Sequence, residues 1–278
     1  MNWEVQFLQD MQSIRVPVMS ALMESISFLY EGMFITCIIS ILYWCFDKKI
    51  ATKIAWIVLL NGIFNSIIKN IVKMPRPFER GVTLPLSLET AEGFSFPSKH
   101  VQTAVSFWGG AVAIFKTKEA WIMAIVMSLL AGLTRLYLGL NWPIDIIGSF
   151  IIGFGGIIVA NNLFEQKFNQ LHIIVSTFLI ILVYIFPVDK NLAVIAANLF
   201  GLIIGISIEQ RYINFKERCK NNIQIKKLTI GFLGLIMVYL GLGRLLVETK
   251  LSQMILHFLV MLWITAFSPY IYKKILKI

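Results

Sequence analysis

The stretch TRLYLGLNWPIDIIGSFIIGFGGIIVANNLF, residues 134–164, joins a polar segment to a long apolar run. Residues 146–164 contain no Asp, Glu, Lys or Arg. Because about 17–25 mostly apolar residues span a bilayer as a helix, this run predicts a membrane-spanning helix. The polar segment places Arg135, Asn141 and Asp145 beside the start of that helix. Charged groups at a membrane edge are costly and indicate a functional site.

Eight further runs without charged side chains lie at 32–46, 54–68, 101–115, 120–134, 168–188, 191–208, 228–243 and 251–272. The shorter runs reach spanning length if one polar end residue extends its head group to the interface. We therefore predict an all-α polytopic membrane protein with nine spans. The composition agrees, since 58% of the 278 residues are hydrophobic, 14% are charged and the mean hydropathy is +0.77. These values exclude an ordinary soluble domain and a disordered chain.

The net charge of +10 is explained by membrane topology. One set of alternate loops carries 15 of the 25 basic residues. Since basic loops stay in the cytoplasm, this bias predicts an outer N-terminus and a cytoplasmic C-terminus. We predict a multi-pass protein of a plasma membrane, bacterial because the chain is compact and begins without a signal-type basic region. Nucleic-acid binding is not needed to explain the charge.

The N-terminal residues 1–28 differ from the spans because apolar side chains recur there at helical spacing between polar ones. Two interpretations stay open: an amphipathic helix on the outer surface, or a first core helix packed against the bundle. Glu24 and Glu31, close to the first span, are candidates to face the bundle interior. The three cysteines, Cys37, Cys45 and Cys219, have no metal-binding spacing. We predict neither a disulfide nor a bound metal.

Three polar groups fall on the predicted outer side, each at the end of an apolar run. The first group is KNIVKMPRP at 69–77, the second is PSKH at 97–100, and the third is TRLYLGLNWPID at 134–145. The candidate site residues in these groups are Lys69, Arg76, Ser98, Lys99, His100, Arg135, Asn141 and Asp145. Since the groups end or begin consecutive helices at one membrane face, we expect them to form one site.

This set of residue types is typical of a phosphate site. Lys69, Arg76 and Arg135 supply positive charge, and an arginine fork binds two phosphate oxygens. Ser98 occupies the position of an N-cap, and the amides of a helix N-terminus bind anions. His100 follows within the first turn and is placed to protonate a leaving oxygen. Asp145 follows Asn141 by four residues, with Pro143 as a first-turn residue of the next helix.

On these three motifs the chain resembles the type 2 phosphatidic acid phosphatase superfamily, which shares its core with vanadium haloperoxidases. That family has Lys-x6-Arg-Pro, Pro-Ser-x-His and Ser-Arg-x5-His-x3-Asp. The resemblance covers residues 1–164 and implies a six-helix core, followed by about four further spans in 165–278 as an extension of unknown role. It implies phosphate binding at Lys69, Arg76, Ser98 and Arg135, a general acid at His100 and an orienting role for Asp145.

The sequence departs from the family at its nucleophile, because Asn141 stands where the family has histidine. A carboxamide nitrogen has no free lone pair, so Asn141 cannot form a phosphorylated intermediate. Asn141 can still form hydrogen bonds with Asp145 and with a bound phosphate. We therefore expect a site that binds a phosphoester and hydrolyses it very slowly or not at all. Thr134 in place of serine is a milder change, since both carry a hydroxyl.

Three explanations of Asn141 stay open. It is an introduced substitution that inactivates a phosphatase; or it is natural in a protein that binds, senses or transports lipid phosphates; or another group or water attacks phosphorus. In the last case Lys99 would add electrostatic stabilisation.

The resemblance implies dephosphorylation of a lipid phosphate at the outer face, with undecaprenyl diphosphate, phosphatidic acid and phosphatidylglycerophosphate among the family's substrates. It implies no cofactor, and a metal is not needed because side chains supply the charge. The alternative is a non-catalytic binder or transporter of phosphorylated lipids. A haloperoxidase is a third reading, which the apolar spans argue against. Membrane lipids are expected partners, and the extension leaves room for a homodimer.

Overall fold

The computed structural model describes residues 2–164, 170–185, 188–245 and 249–277, and within those ranges the regular structure is helical. The α-helices are α1 (Asn2–Ser13), α2 (Pro17–Phe28), α3 (Gly32–Ile41), α4 (Lys48–Val72), α5 (Lys99–Phe115), α6 (Lys118–Tyr137), α7 (Pro143–Leu163), α8 (Gln170–Ile185), α9 (Lys190–Ile208), α10 (Asn221–Leu245), α11 (Lys250–Leu262) and α12 (Ser268–Ile275). Wider π-helical turns extend α3 and α9 and join α11 to α12; they are Leu42–Phe46, Glu209–Ile213 and Trp263–Phe267. The chain is thus the predicted all-α polytopic membrane protein.

Each apolar run of the sequence falls on a helix, but fewer helices than nine have the length of a span. Six have the length and composition to cross a membrane: α4, α6, α7, α9, α10 and α11 with α12. A seventh span results if α2 and α3, which meet at a 55° bend, count as one. The runs predicted as spans at 101–115 and 168–188 form α5 and α8, of 17 and 16 residues, which lie at and just below the lower limit of that length. Among the described residues the structure therefore supports six or seven spans instead of nine.

The chain divides into two compact units. The first contains residues 1–37 and 60–162, and the second contains residues 38–59 and 163–278. Every residue of the three sequence motifs lies in the first unit.

Residues 1–28 form two helices in the first unit, because the chain turns after α1 and Pro17 begins α2. Both helices pack against α6. Arg15, in the turn, donates from Nε and Nη2 to the carbonyl oxygen of Tyr137 at 2.9 and 2.6 Å. Its Nη1 donates to the carbonyl oxygen of Leu84 at 2.6 Å. Arg15 therefore satisfies a carbonyl at the end of α6, where the helix has no backbone donor of its own.

Four helix ends meet at one end of the first unit, because α4 to α7 alternate in direction. Lys69 lies in the last turn of α4, and Ser98 is the N-cap of α5. Arg135 lies in the last turn of α6, and Asp145 lies in the first turn of α7, which Pro143 begins as predicted. The motifs are therefore brought together by the helical hairpins themselves.

In the second unit α9 packs against α8 and α11. Lys227 on α10 is fully buried and donates from Nζ to the carbonyl oxygens of Trp44, Lys216 and Glu217. Such an ammonium is tolerated in the interior because three carbonyl oxygens replace its water.

Candidate functional site

Asn141 is at the centre of the candidate site and is 1% exposed. Its Nδ2 donates to the carbonyl oxygen of Ser95 at 3.0 Å and to Asp145 Oδ2 at 3.1 Å. Its Oδ1 accepts from Arg135 Nε at 3.3 Å and from Ser98 Oγ at 3.4 Å. One amide thus links residues of the second and third sequence motifs.

Asp145 is fully buried, and its two oxygens differ. Oδ2 accepts from the backbone amide of Trp142 at 2.7 Å, from Asn141 and from the hydroxyl of Ser95. Oδ1 has no hydrogen-bond partner among the residues that the structure describes. The carboxylate caps the first turn of α7 and is held by its neighbours, so that Asn141 has a fixed acceptor.

Arg135 is buried at 1% exposure, although its side chain is large and charged. Besides Asn141, its guanidinium donates to Thr90 Oγ1 at 2.9 Å and to Ser27 Oγ at 3.3 Å. It also donates to the carbonyl oxygen of Thr90 at 3.4 Å. These oxygens compensate the desolvation of a buried cation.

Arg76 and Lys69 are buried beside Arg135 and are 3% and 4% exposed. Arg76 donates to the carbonyl oxygens of Gly93 at 2.9 Å, Leu140 at 2.8 Å and Glu92 at 2.8 Å. Burial lowers the pKa of Arg76 from its ordinary value, whereas the nearby carboxylates, Asp145 first, act in the opposite direction. Lys69 Nζ donates to the carbonyl oxygen of Phe94.

We name residues 88–95 the strap. The strap contacts the three buried cations Lys69, Arg76 and Arg135. Carbonyl oxygens of four strap residues accept from Lys69, Arg76 or Arg135; these residues are Thr90, Glu92, Gly93 and Phe94. A carbonyl oxygen is a weaker acceptor than a phosphate oxygen, because a charged acceptor forms the stronger hydrogen bond. The cations are thus held in position by groups that an anion can replace.

The second motif begins α5 as predicted, but Ser98 does not cap the helix with its side chain. Ser98 has the N-cap position, yet its hydroxyl donates to Asn141 instead of accepting from the helix. Lys99 points away from the buried centre and pairs with Glu92 on the strap at 2.9 Å, both side chains being partly exposed. His100 is buried, and its Nε2 lies 2.8 Å from Glu31 Oε1.

The structure thus brings together six of the predicted site residues. Asn141 forms hydrogen bonds with Ser98, Arg135 and Asp145, whereas Lys69 and Arg76 both donate to the carbonyl oxygen of Phe94. Ser27, Thr90 and Ser95, which the sequence did not predict, bind these residues through hydroxyl or carbonyl oxygens. No motif marks a single Ser or Thr.

Comparison with protein families connects this geometry to known proteins. The model of the PAP2 superfamily matches residues 50–169, a range that contains all three motifs. A second model, the transmembrane extension of PAP2 superfamily phosphatases, matches residues 193–277. The chain belongs to the PAP2 superfamily. The second matched range contains most of α9 and all of α10, α11 and α12.

The curated relatives are phosphatases of phosphorylated lipids. An undecaprenyl-diphosphatase of Sulfolobus acidocaldarius is 27% identical over 108 residues, which are 38% of this chain and 51% of the relative. Undecaprenyl-diphosphatase BcrC of Bacillus subtilis is 25% identical over 113 residues, 39% of this chain and 57% of the relative. Sphingosine-1-phosphate phosphatase 2 of Mus musculus is 27% identical over 134 residues, 45% of this chain and 36% of the relative.

This chain therefore spans only about half the length of the two diphosphatases. No solved structure matches the chain significantly.

Proposed function

We propose that the PAP2 site binds the phosphate group of a phosphorylated lipid, and that Asn141 makes hydrolysis very slow or absent in this chain. The observation that carries the proposal is the contact of Asn141 with both Arg135 and Asp145 in a buried site that also holds Lys69 and Arg76. Three cations near one buried carboxylate favour a dianion over a neutral ligand. The amide supplies hydrogen bonds at this position but no nucleophile.

In this proposal phosphate binding requires an exchange of hydrogen-bond partners. Lys69, Arg76 and Arg135 donate to strap carbonyl oxygens, and a bound phosphate would accept the same hydrogen bonds. Charged acceptors hold arginine more strongly than carbonyl oxygens do, so the exchange is favourable. The strap would move away from the cations as phosphate enters, because the two sets of oxygens compete for one set of donors.

The proposed chemistry of the active form uses histidine in place of Asn141. An imidazole nitrogen at position 141 would attack phosphorus, and the bond from phosphorus to the lipid oxygen would break. His100 would give its proton to that leaving oxygen. Asp145 would accept a hydrogen bond from the attacking imidazole, as it now does from Asn141. Water would then release phosphate from the phosphohistidine.

A lipid substrate fits because the site lies at the ends of α4, α6 and α7, which have the length and composition of membrane spans. The uneven distribution of Lys and Arg supports a site on the outer face of a bacterial plasma membrane. The relatives support a phosphomonoester or diphosphate carried by an isoprenoid or another lipid. Lys99 would add positive charge at the entrance.

A second candidate function is binding or transport of phosphorylated lipids without hydrolysis. Asn141 favours it, because the phosphate-binding side chains are retained while the nucleophile is not. The two candidates predict the same binding and differ only when histidine is introduced at position 141.

Binding of a fluorescent isoprenoid diphosphate to the chain in detergent micelles tests the shared part of the proposal. We expect saturable binding that inorganic phosphate weakens. The variant Arg135→Gln should bind about 10- to 100-fold less tightly, since a hydrogen bond to a charged group contributes about 1.5–3 kcal/mol. Arg211→Gln is the matched control, because Arg211 is exposed in the second unit. Equal affinities of the two variants, each with the thermal transition of the unchanged chain, would refute a phosphate site at Arg135.

A further inference from the structure

Glu31, which belongs to none of the three motifs, contacts the candidate general acid. It lies in the bend between α2 and α3, and its Oε1 is 2.8 Å from Nε2 of His100. The imidazole is 5% exposed and the carboxylate 29% exposed. An ionised carboxylate can only accept a hydrogen bond, so the proton of this bond belongs to Nε2.

The same segment also reaches Arg135. Ser27, four residues before Glu31, accepts from Arg135 Nη1 at 3.3 Å. The end of α2 and the bend after it therefore contact two motif residues, His100 on α5 and Arg135 on α6. The charged groups that interact with the Glu31–His100 pair are Arg135 and, on α5 itself, Lys99.

The contact decides which nitrogen of His100 is available to a ligand. Nε2 is used by Glu31, whereas Nδ1 has no hydrogen-bond partner among the described residues. An imidazole held by a carboxylate at one nitrogen has a fixed orientation and presents the other nitrogen, as in other histidine–carboxylate pairs. With Asn141 bound to Asp145, Glu31 and His100 form the histidine–carboxylate pair that this site retains.

We propose that Glu31 is a positioning residue for His100, which it binds at Nε2 so that Nδ1 faces the lipid oxygen of the bound phosphoester. The inference rests on the proposed function for the role of His100 as proton donor. Glu31 itself does not touch the substrate. In the neutral ring Nδ1 keeps its lone pair, and in the imidazolium Nδ1 carries the proton that passes to the leaving oxygen while Glu31 stabilises the charge.

The first test shows which ring nitrogen of His100 carries the proton, and it does not need enzymatic activity. Nitrogen signals of ¹⁵N-labelled histidine are recorded for the full chain in micelles, and His100→Gln identifies the signal of His100. Glu31→Ala should move the His100 signals, because the proton is no longer held on Nε2. Glu31→Gln should preserve them, because its amide oxygen still accepts. Glu24→Ala, an exposed glutamate on α2, is the control and should change nothing. Unchanged His100 signals in Glu31→Ala would overturn the proposal.

The second test measures turnover in the Asn141→His background. Adding Glu31→Ala should lower kcat about 10- to 100-fold with little change in KM, since a positioned general acid contributes about 10²–10⁴-fold. Adding Glu31→Gln should recover part of the loss. A rise in KM at unchanged kcat would show that Glu31 supports binding instead. If Asn141→His releases no phosphate, the proposed function fails, and the nitrogen signals alone decide whether Glu31 positions His100.

Discussion

Asn141 Nδ2 lies 3.1 Å from Asp145 Oδ2, at the pair of positions where the PAP2 motif has histidine and aspartate. The amide therefore keeps the hydrogen bond to Asp145 that an imidazole would form, while its oxygen accepts from Arg135. With asparagine at position 141, Arg135, Ser98 and Asp145 Oδ2 all form hydrogen bonds with it, whereas Asp145 Oδ1 has no partner among the described residues. A site of this kind is expected to remain folded and to bind anions.

Removing one contact between the strap and Arg135 should strengthen phosphate binding. In Thr90→Val the side chain keeps its shape but no longer accepts from Arg135 Nη1. If phosphate competes with the strap for this donor, affinity for the isoprenoid diphosphate should rise about 2- to 10-fold, the equivalent of one net hydrogen bond of about 0.5–1.5 kcal/mol. Fluorescence titration of the unchanged chain and of Thr90→Val with the isoprenoid diphosphate measures the two affinities. Thr229→Val on α10 is the control, and a fall in affinity specific to Thr90→Val would contradict competition by the strap.

Two adjacent glycines of α7 should differ in their tolerance of alanine. A Cβ at Gly156 would lie 2.0 Å from Asn61 Oδ1, whereas at Gly155 no heavy atom lies within 4 Å. Asn61 is buried and accepts from Gln102 Nε2. Gly156→Ala should therefore lower the free energy of unfolding by about 1–3 kcal/mol, the usual cost of an overpacked interior.

Gly155→Ala should be neutral or stabilising by about 0.5–1 kcal/mol, because alanine has less conformational freedom to lose on folding. Thermal unfolding of both variants in the same detergent measures the difference. A destabilisation of equal size in the two variants would show that the contact with Asn61 does not decide the outcome.

Lys227 should matter for stability, whereas its neighbour Lys226 should not. Lys227 is fully buried and donates to three carbonyl oxygens, and Lys226 is exposed. Lys227→Met leaves those oxygens without their donor and should cost about 1–3 kcal/mol. Lys226→Met should change the free energy of unfolding by less than about 0.5 kcal/mol. The thermal transition temperatures of the two variants, measured side by side, test this prediction. If Lys226→Met lowered the transition temperature as much as Lys227→Met, the buried hydrogen bonds of Lys227 would not explain the effect.

The helical class was predictable because runs without charged residues are sufficient to identify helices in a membrane protein. The number of membrane spans was not predictable from these runs. The run at 101–115 begins beside His100 and forms a helix of 17 residues, which is at the lower limit for a span. The break at Pro17 was hidden by the continuous spacing of apolar residues across 1–28. Residues 38–59 belong to the second unit, which depends on long-range packing that no local pattern encodes.

At the candidate site, the sequence predicted the residues that the three motifs contain. Asn141 and Asp145 lie within hydrogen-bond distance, although Asn141 precedes α7 and only Asp145 is in that helix. Ser95, Thr90 and Glu31 escaped prediction as partners because loops and a bend bring them in. Lys99 belongs to a motif, yet its ammonium pairs with Glu92, a contact made through the fold of the strap.

We propose that Asn141 occupies the place of the nucleophile in a PAP2 phosphate site. The most direct test is phosphate release from a panel of isoprenoid and glycerolipid phosphates by this chain, by Asn141→His, and by Asn141→His combined with Asp145→Ala. We predict that Asn141→His releases phosphate about 10²-fold faster or more, and that Asp145→Ala removes the gain. If neither this chain nor Asn141→His releases phosphate although both bind the lipids, the phosphatase account is contradicted, and binding or transport is the function.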